Sequence, residues 1–194
     1  PKEIQRKVHT PEMLRITQLY FSFLLFVVVA DAQVPITFPL RINSGSRDDI
    51  IDSNGIAWSK DIYFTTGNYD SLNRCGVGPI GPQCKIRSFN VATQPAPYGY
   101  DIPIPNGNYI VTLHFMETYY TKIGERIMDV EVEGVTVFPG LDIFKEIGSK
   151  NTLFSFNVST TVTDGSLDIY LVPVYRNPLI SGLEIYAAPS APTT

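Results

Sequence analysis

From Leu40 onward, apolar and polar residues alternate with the period of two that a half-buried strand produces. Tyr109, Val111, Leu113 and Phe115 share one face of an extended segment, and Ile110, Thr112 and His114 share the other. The turn ahead of it, Pro105-Asn106-Gly107-Asn108, has the composition of a tight hairpin that needs positive φ. Met128, Val130 and Val132 alternate with Asp129, Glu131 and Glu133, which predicts one buried and one wet face ending at Gly134. Phe154, Phe156 and Val158 repeat the pattern, and Asp164-Gly165 turns the chain into Leu167, Ile169 and Leu171. Ile180, Leu183 and Ile185 predict a closing strand with a bulge near Gly182. No segment after residue 40 keeps a helical period for three turns. Many short strands separated by turns predict an all-β fold, an antiparallel β-sandwich or jelly roll with long loops at one edge. The Gly- and Pro-containing stretch from Ala57 to Pro97 reads as those loops, where binding on a rigid sandwich usually sits.

The first 32 residues break this pattern. Met13 opens a stretch with one basic residue, Arg15, followed by the apolar run Tyr20 to Ala30 and the triplet Ala30-Asp31-Ala32. That is the layout of a secretory signal peptide over residues 13–32, cleaved after Ala32. The run is too short to cross a hydrocarbon core of about 30 Å as a helix, and no polar face interrupts it as in a core helix. Residues 1–12 precede this leader, 33–187 form the expected domain, and Pro-, Ser- and Thr-rich residues 188–194 open a linker.

Composition narrows the function classes. Hydrophobic residues at 44% and charged ones at 18% fit a packed core, not a disordered chain. The net charge of −4, or −5 once residues 1–32 are set aside, gives no cationic surface for a phosphate backbone. Nucleic acid is therefore not an expected partner. Cys75 and Cys84 are the only cysteines. In an oxidising compartment a pair this close is expected to bridge, contributing somewhat under about 3 kcal/mol; in a reducing one they would be two thiols. Asn157-Val158-Ser159 is the single N-glycosylation acceptor.

Catalytic and metal readings find little support. Gly76-Val77-Gly78-Pro79-Ile80-Gly81 has dinucleotide-loop spacing, but Pro79 and the flanking cysteines replace the strand and helix that hold a pyrophosphate. Asp48, Asp49, Asp52 and Asn54 before Gly55 look like part of a structural calcium loop, yet Ile50 stands at an acidic position. A solvated loop is the expectation there, with no metal and no cofactor. Asp129, Glu131 and Glu133 have the proximity of glycosidase carboxylates, but acids alternating with apolar residues are the wet face of a strand. His114 is the only histidine after residue 32, and no nucleophile elbow surrounds any serine.

Aromatic residues carry the more specific signal. Tyr119 and Tyr120 follow the end of an alternating strand, Tyr63, Phe64 and Tyr69 lie in a Gly-, Asn- and Thr-rich loop, and Tyr175 follows a strand ending at Pro173. Rings flanked by Asn, Asp or Arg suit a sugar, which shows C–H on one face and hydroxyls at its edge. Core packing is the alternative for each ring taken singly.

Several stretches together resemble the malectin domain family of carbohydrate-binding modules. They are Arg41-Ile42-Asn43-Ser44-Gly45, Asp52-Ser53-Asn54-Gly55-Ile56-Ala57-Trp58, Asp61-Ile62-Tyr63-Phe64, Tyr98 to Gly107, Leu113 to Tyr120, Asp129-Val130 with Glu133-Gly134, Leu141 to Phe144, and Asn177-Pro178. The resemblance covers about Leu40 to Tyr186. It implies a lectin-like β-sandwich whose long loops form an aromatic cleft, which holds a glucose disaccharide in the animal endoplasmic-reticulum member. By position, the paired cleft aromatics fall on Tyr119 and Tyr120 and an upstream tyrosine on Tyr69. Two positions depart. Cys84 and Lys85 stand near where the family has a further cleft tyrosine, and Arg176 replaces an acidic residue before Asn177-Pro178, exchanging an acceptor for a pure donor. The expected function is a non-catalytic carbohydrate-binding module of a secreted, lumenal or cell-surface protein, with Tyr69, Tyr119 and Tyr120 as platform and Arg176 and Asn177 at the rim. The rivals are a protein- or peptide-binding ectodomain and an accessory domain of a glycoside-acting enzyme.

Overall fold

The computed structural model describes residues 36–66 and 98–189, and the backbone of 68–70 and 86–88. The expected leader at 13–32, Cys75, Cys84, Gly76 to Gly81, residues 190–194 and the side chain of Tyr69 lie outside the described residues. Among the described residues the elements run β1 (Leu40–Asn43), β2 (Ile50–Ile51), β3 (Ala57–Trp58), β4 (Asn68–Asp70), β5 (Ile86–Ser88), β6 (Gly99–Pro103), β7 (Gly107–Met116), β8 (Ile127–Val132), β9 (Val135–Leu141), α1 (Ile143–Ile147), β10 (Leu153–Val162), β11 (Ser166–Tyr175), β12 (Leu179–Ile180) and β13 (Gly182–Ala187).

The alternation works as the sequence requires. Tyr109, Val111, Leu113 and Phe115 on β7, Met128, Val130 and Val132 on β8, and Leu167, Ile169 and Leu171 on β11 are all buried in one cluster. That cluster joins two four-stranded antiparallel sheets, ordered β1-β13-β7-β10 and β6-β11-β8-β9. Each buried Leu, Ile or Phe contributes about 1.5–3 kcal/mol by leaving water, so this shared interior makes the chain an antiparallel β-sandwich. A small sheet, β12-β5-β4, and the ribbon β2-β3 flank it.

Four local expectations are corrected. Pro105 to Asn108 is not a hairpin turn: β6 and β7 lie in opposite sheets, so the chain crosses the sandwich there. Ile180 to Ile185 is two strands, because β12 pairs with β5 and β13 with β7, the switch falling at Ser181. β11 runs on past Pro173 to Tyr175 through a register shift against β8. The stretch from Ala57 to Pro97 contains β3, β4 and β5, and Tyr69 sits on β4, paired with Arg87, not in a loop.

The two ends of the sandwich differ. At one end the turns are tight and tied together: Ile104 N donates to the Gly165 carbonyl and Glu133 N to that of Asp168, each at 2.9 Å. Glu133 and Gly134 both take positive φ, 51° and 70°, the pattern of a two-residue hairpin matched to strand twist. At the other end the chain leaves β7, β9 and β11 into longer connections, and the candidate site is built there.

Candidate functional site

β7 ends at Met116 and the buried run continues through Glu117 and Thr118. A carboxylate only 1% exposed must be paired, and Glu117 is. Its Oε1 accepts the backbone N–H groups of Tyr119 (2.8 Å) and Tyr120 (3.0 Å), while Oε2 accepts Arg126 Nε at 2.7 Å. The carboxylate thus folds the chain sharply after the strand and fixes the two tyrosines as adjacent members of one turn. Two further acids brace the loop that follows. Glu125 accepts the N–H groups of Thr121 and Lys122 (3.1 and 3.0 Å), and Asp142, the N-cap of α1, accepts that of Gly124 at 2.5 Å.

Arg126 carries the turn to the neighbouring connection. Its Nη1 donates to the Asn177 carbonyl, and its guanidinium lies 4.9 Å from the Tyr120 ring centre. Arg176 approaches the same ring at 4.5 Å and Tyr175 at 5.1 Å. Hydrogen bonds with the Tyr120 and Tyr175 hydroxyls hold the Arg176 pKa above its ordinary value, so it is a fixed positive charge. Arg176 takes positive φ (63°), the left-handed bend that turns the chain out of β11 toward Asn177. Tyr119 meets Tyr120 edge-on, with centroids 4.9 Å apart at 87°. Tyr119 remains 66% exposed and Tyr175 49%.

Of the residues expected from sequence, Tyr119, Tyr120, Arg176 and Asn177 converge. β4, which carries Tyr69, belongs to the small sheet in which β5 separates it from β12. Tyr175, one of the aromatic rings noted in the sequence, joins the converging residues through Arg176, while Glu117 and Arg126 complete the cluster without having been expected as site residues. A charged residue directly after Phe115-Met116 was the available signal, because an acid that continues a buried strand needs a cation.

Other candidate chemistry is tied up elsewhere. Asp52 Oδ1 accepts from Asn54 and Ile56 and its Oδ2 from Trp58 Nε1, while Asp49 accepts from Lys60 N. No three His, Cys, Asp or Glu side chains converge as a metal site among the described residues. Asp129 accepts from Gly140 N on β9 and Glu133 from Asp168 N on β11, each bracing a neighbouring strand. His114 lies between Ser155 (Nδ1–Oγ 2.7 Å) and Glu184 (Nε2–Oε1 3.1 Å) on the outer face of its sheet, packed against Trp58. Its members sit on three neighbouring strands, so the row is a cross-strand ladder and not a nucleophile presented on a turn. A separate groove of about 540 Å³ lies beside β1, walled by Leu40, Ile50, Ile51 and Trp58 with Arg41 and Asp49, and includes none of the converging tyrosines.

Comparisons with known proteins bear on the family and the fold. A malectin domain profile matches residues 38–189. Receptor-like protein 4 of Arabidopsis thaliana is 31% identical over 124 residues, which is 60% of this chain and 20% of that protein. Malectin-B of Xenopus laevis is 34% identical over 73 residues, 37% of this chain and 26% of that protein. Malectin of Homo sapiens is 27% identical over 177 residues, 81% of this chain and 59% of that protein. The chain thus spans about a quarter or less of the first two relatives. Among solved structures, the complex of the plant peptide RALF23 with FER and LLG2 gives a TM-score of 0.67 at 21% identity, over 78% of this chain and 49% of that one. A Bacteroides uniformis β-glucuronidase gives 0.66 at 18% identity, over 77% of this chain and 18% of that one. At such identities the structural likeness is one of fold. The profile, however, spans the whole described sandwich together with the turn that carries Tyr119 and Tyr120, and the chain belongs to the malectin domain family.

Proposed function

We propose that this chain is a non-catalytic carbohydrate-binding module of a secreted, lumenal or cell-surface protein. The observation that carries the proposal is an exposed Tyr119 ring edge-on to Tyr120, whose own ring meets Arg176, which also lies against Tyr175. A free ring face on a fixed turn suits the C–H face of a sugar, and Arg176 with Asn177 supplies polar partners at its edge. Tyr120 has a different role. With guanidinium groups of Arg126 and Arg176 against its ring it is a keystone that holds the site together.

The test is glycan-array screening of the chain, followed by calorimetry on the best glycan. Tyr119→Ala should weaken binding by about 1–3 kcal/mol, as loss of an interface anchor does, and leave thermal stability nearly unchanged. Tyr120→Ala should lower both. Unaltered binding by Tyr119→Ala would place the sugar elsewhere.

A second reading, a module for a protein or peptide partner, is favoured by the residue types themselves, since exposed Tyr and Arg are what protein hot spots use. The fold likeness to a complex of a plant peptide with FER and LLG2 is in keeping with it. An array with no binder, together with a peptide partner sensitive to Tyr119→Ala, would favour this reading.

Either reading places the chain on the secretory route, which accords with the apolar run before Ala32 and with a bridge expected between Cys75 and Cys84. Among the described residues no helix is long and apolar enough to cross a membrane. Intact mass of secreted material should give a chain starting at Gln33 and two mass units lighter than its reduced form, one bridge's worth of hydrogen. A chain retaining residues before Tyr20, or one unchanged by reduction, would refute the leader or the bridge respectively.

A further inference from the structure

Four strands form the edges of the two main sheets, and three of them are blocked. β1 is four residues long and follows Pro39, and Ser59 exchanges backbone hydrogen bonds with Arg41 and Asn43 on its outer side, at 2.9 Å each. β6 ends at Pro103 and is covered by the segment through Tyr63 and Thr65: Asp101 N donates to the Tyr63 carbonyl at 3.0 Å and Thr65 N to that of Gly99 at 2.8 Å. β9 contains Pro139 and Gly140 and breaks register with β8 on both sides of Val130. Features of this kind keep a sheet from adding a foreign strand.

β10 has none of them. Its ten residues, Leu153–Val162, include no proline and no charge, and they pair with β7 in unbroken register. Among the described residues nothing pairs with its other side, and α1 lies against it without a backbone bond. Its inward Phe154, Phe156 and Val158 are only partly buried. A long, uncharged and half-covered apolar edge is the kind that recruits another chain.

At the middle of this strand Asn157 and Ser159 are exposed on the outward face, and they frame the only N-glycosylation acceptor in the sequence. Thr112 Oγ1 donates to Asn157 Oδ1 at 2.8 Å. That bond uses the amide oxygen and not Nδ2, the atom that would carry a glycan.

We propose that β10 is guarded by an N-linked oligosaccharide on Asn157. In the transfer, C1 of an oligosaccharide carried on a lipid pyrophosphate breaks its bond to the phosphate oxygen and bonds to Nδ2. The amide nitrogen loses one proton, and the lipid pyrophosphate departs. An added strand would run about 4.8 Å from β10, inside the volume that a hydrated, mobile glycan rooted at Asn157 sweeps. The inference rests on the secretory route and is independent of what the tyrosines bind.

The full chain, expressed through a eukaryotic secretory pathway behind an added leader, is analysed as wild type, Ser159→Ala and Ser159→Lys. Both variants lose the acceptor, but the second places a charge on the edge. Wild type should carry a glycan at Asn157, seen as a mass loss and Asn-to-Asp conversion on amidase treatment, and should stay monomeric by light scattering. Ser159→Ala should self-associate at roughly tenfold lower concentration than wild type, while amidase-treated wild type, which gains a carboxylate at position 157, and Ser159→Lys stay monomeric, the latter with an unchanged melting temperature. An unmodified Asn157 overturns the proposal. So does a Ser159→Ala chain as monomeric as wild type, or a Ser159→Lys chain that associates as Ser159→Ala does.

Discussion

Glu117 does more for the site than any residue that would touch a ligand. Both its oxygens are engaged, one by two consecutive backbone N–H groups and the other by Arg126, which in turn holds Tyr120 and the Asn177 carbonyl. Removing it leaves the near-buried Arg126 guanidinium without its counter-charge and two backbone donors without an acceptor. Glu117→Ala is therefore expected to cost about 3 kcal/mol, the lower end for a broken buried pair. Glu117→Gln, which keeps an acceptor for the turn, should cost about half as much. Urea unfolding measures both, and a Glu117→Ala midpoint equal to wild type would show that the pair is dispensable. Sequence singled out the two tyrosines but not this support. Tyr119 and Tyr120 stand out because adjacent rings after a strand cannot both enter one core. By contrast, the pairing of Glu117 with Arg126 depends on a loop nine residues long closing on itself, which no periodicity encodes.

At the level of elements, alternation told which face each strand buries and nothing about which strand lies beside it. Met128, Val130, Leu167 and Ile169 went inward as expected. Pro105-Asn106-Gly107-Asn108 was misread as a hairpin because turn residues look alike whether the next strand pairs back or crosses to the opposite sheet. Ser181 gives no sign that the chain changes partners there. The β6–β11 pair shows how tight such unseen neighbours are. A Cβ built on Gly99 would stand 1.9 Å from the Ile169 carbonyl oxygen and 2.7 Å from Tyr170 Cδ1. Backbone cannot yield as a flexible side chain does, so Gly99→Ala must push β6 away from β11. A loss of about 3 kcal/mol is expected, the top of the usual range for overpacking, against about 1 kcal/mol for Gly134→Ala, which stands in open space at positive φ. Thermal melts of the two variants in parallel decide it: equal losses would mean that the pair relaxes without cost.

One polar row spans the outer face of the first sheet. Arg41 on β1, Glu184 on β13, His114 on β7 and Ser155 on β10 follow one another from edge to edge, with Tyr186 bonded to the same carboxylate. Burial alone would raise the Glu184 pKa. Donors from His114, Tyr186 and Arg41 outweigh it and hold the group at about 2, against an ordinary 4.5. A carboxyl whose pKa is lower in the folded than in the unfolded chain binds protons more readily when unfolded, so its stabilisation is complete above the unfolded value. It is then lost as pH falls from about 4.5 through about 2. At about 1.4 kcal/mol per pH unit, less some solvent screening of a group at 14% exposure, this amounts to about 2–3 kcal/mol of global stability. Because the row links all four strands, the loss should register as cooperative unfolding of the sandwich and not as fraying of one edge. Denaturant unfolding at steps from pH 6 to pH 2 should show wild type losing this increment below about pH 4.5. Glu184→Gln should begin less stable and descend less steeply over the same window. Parallel profiles for the two proteins would show that acid acts elsewhere and that the ladder contributes no more than its packing.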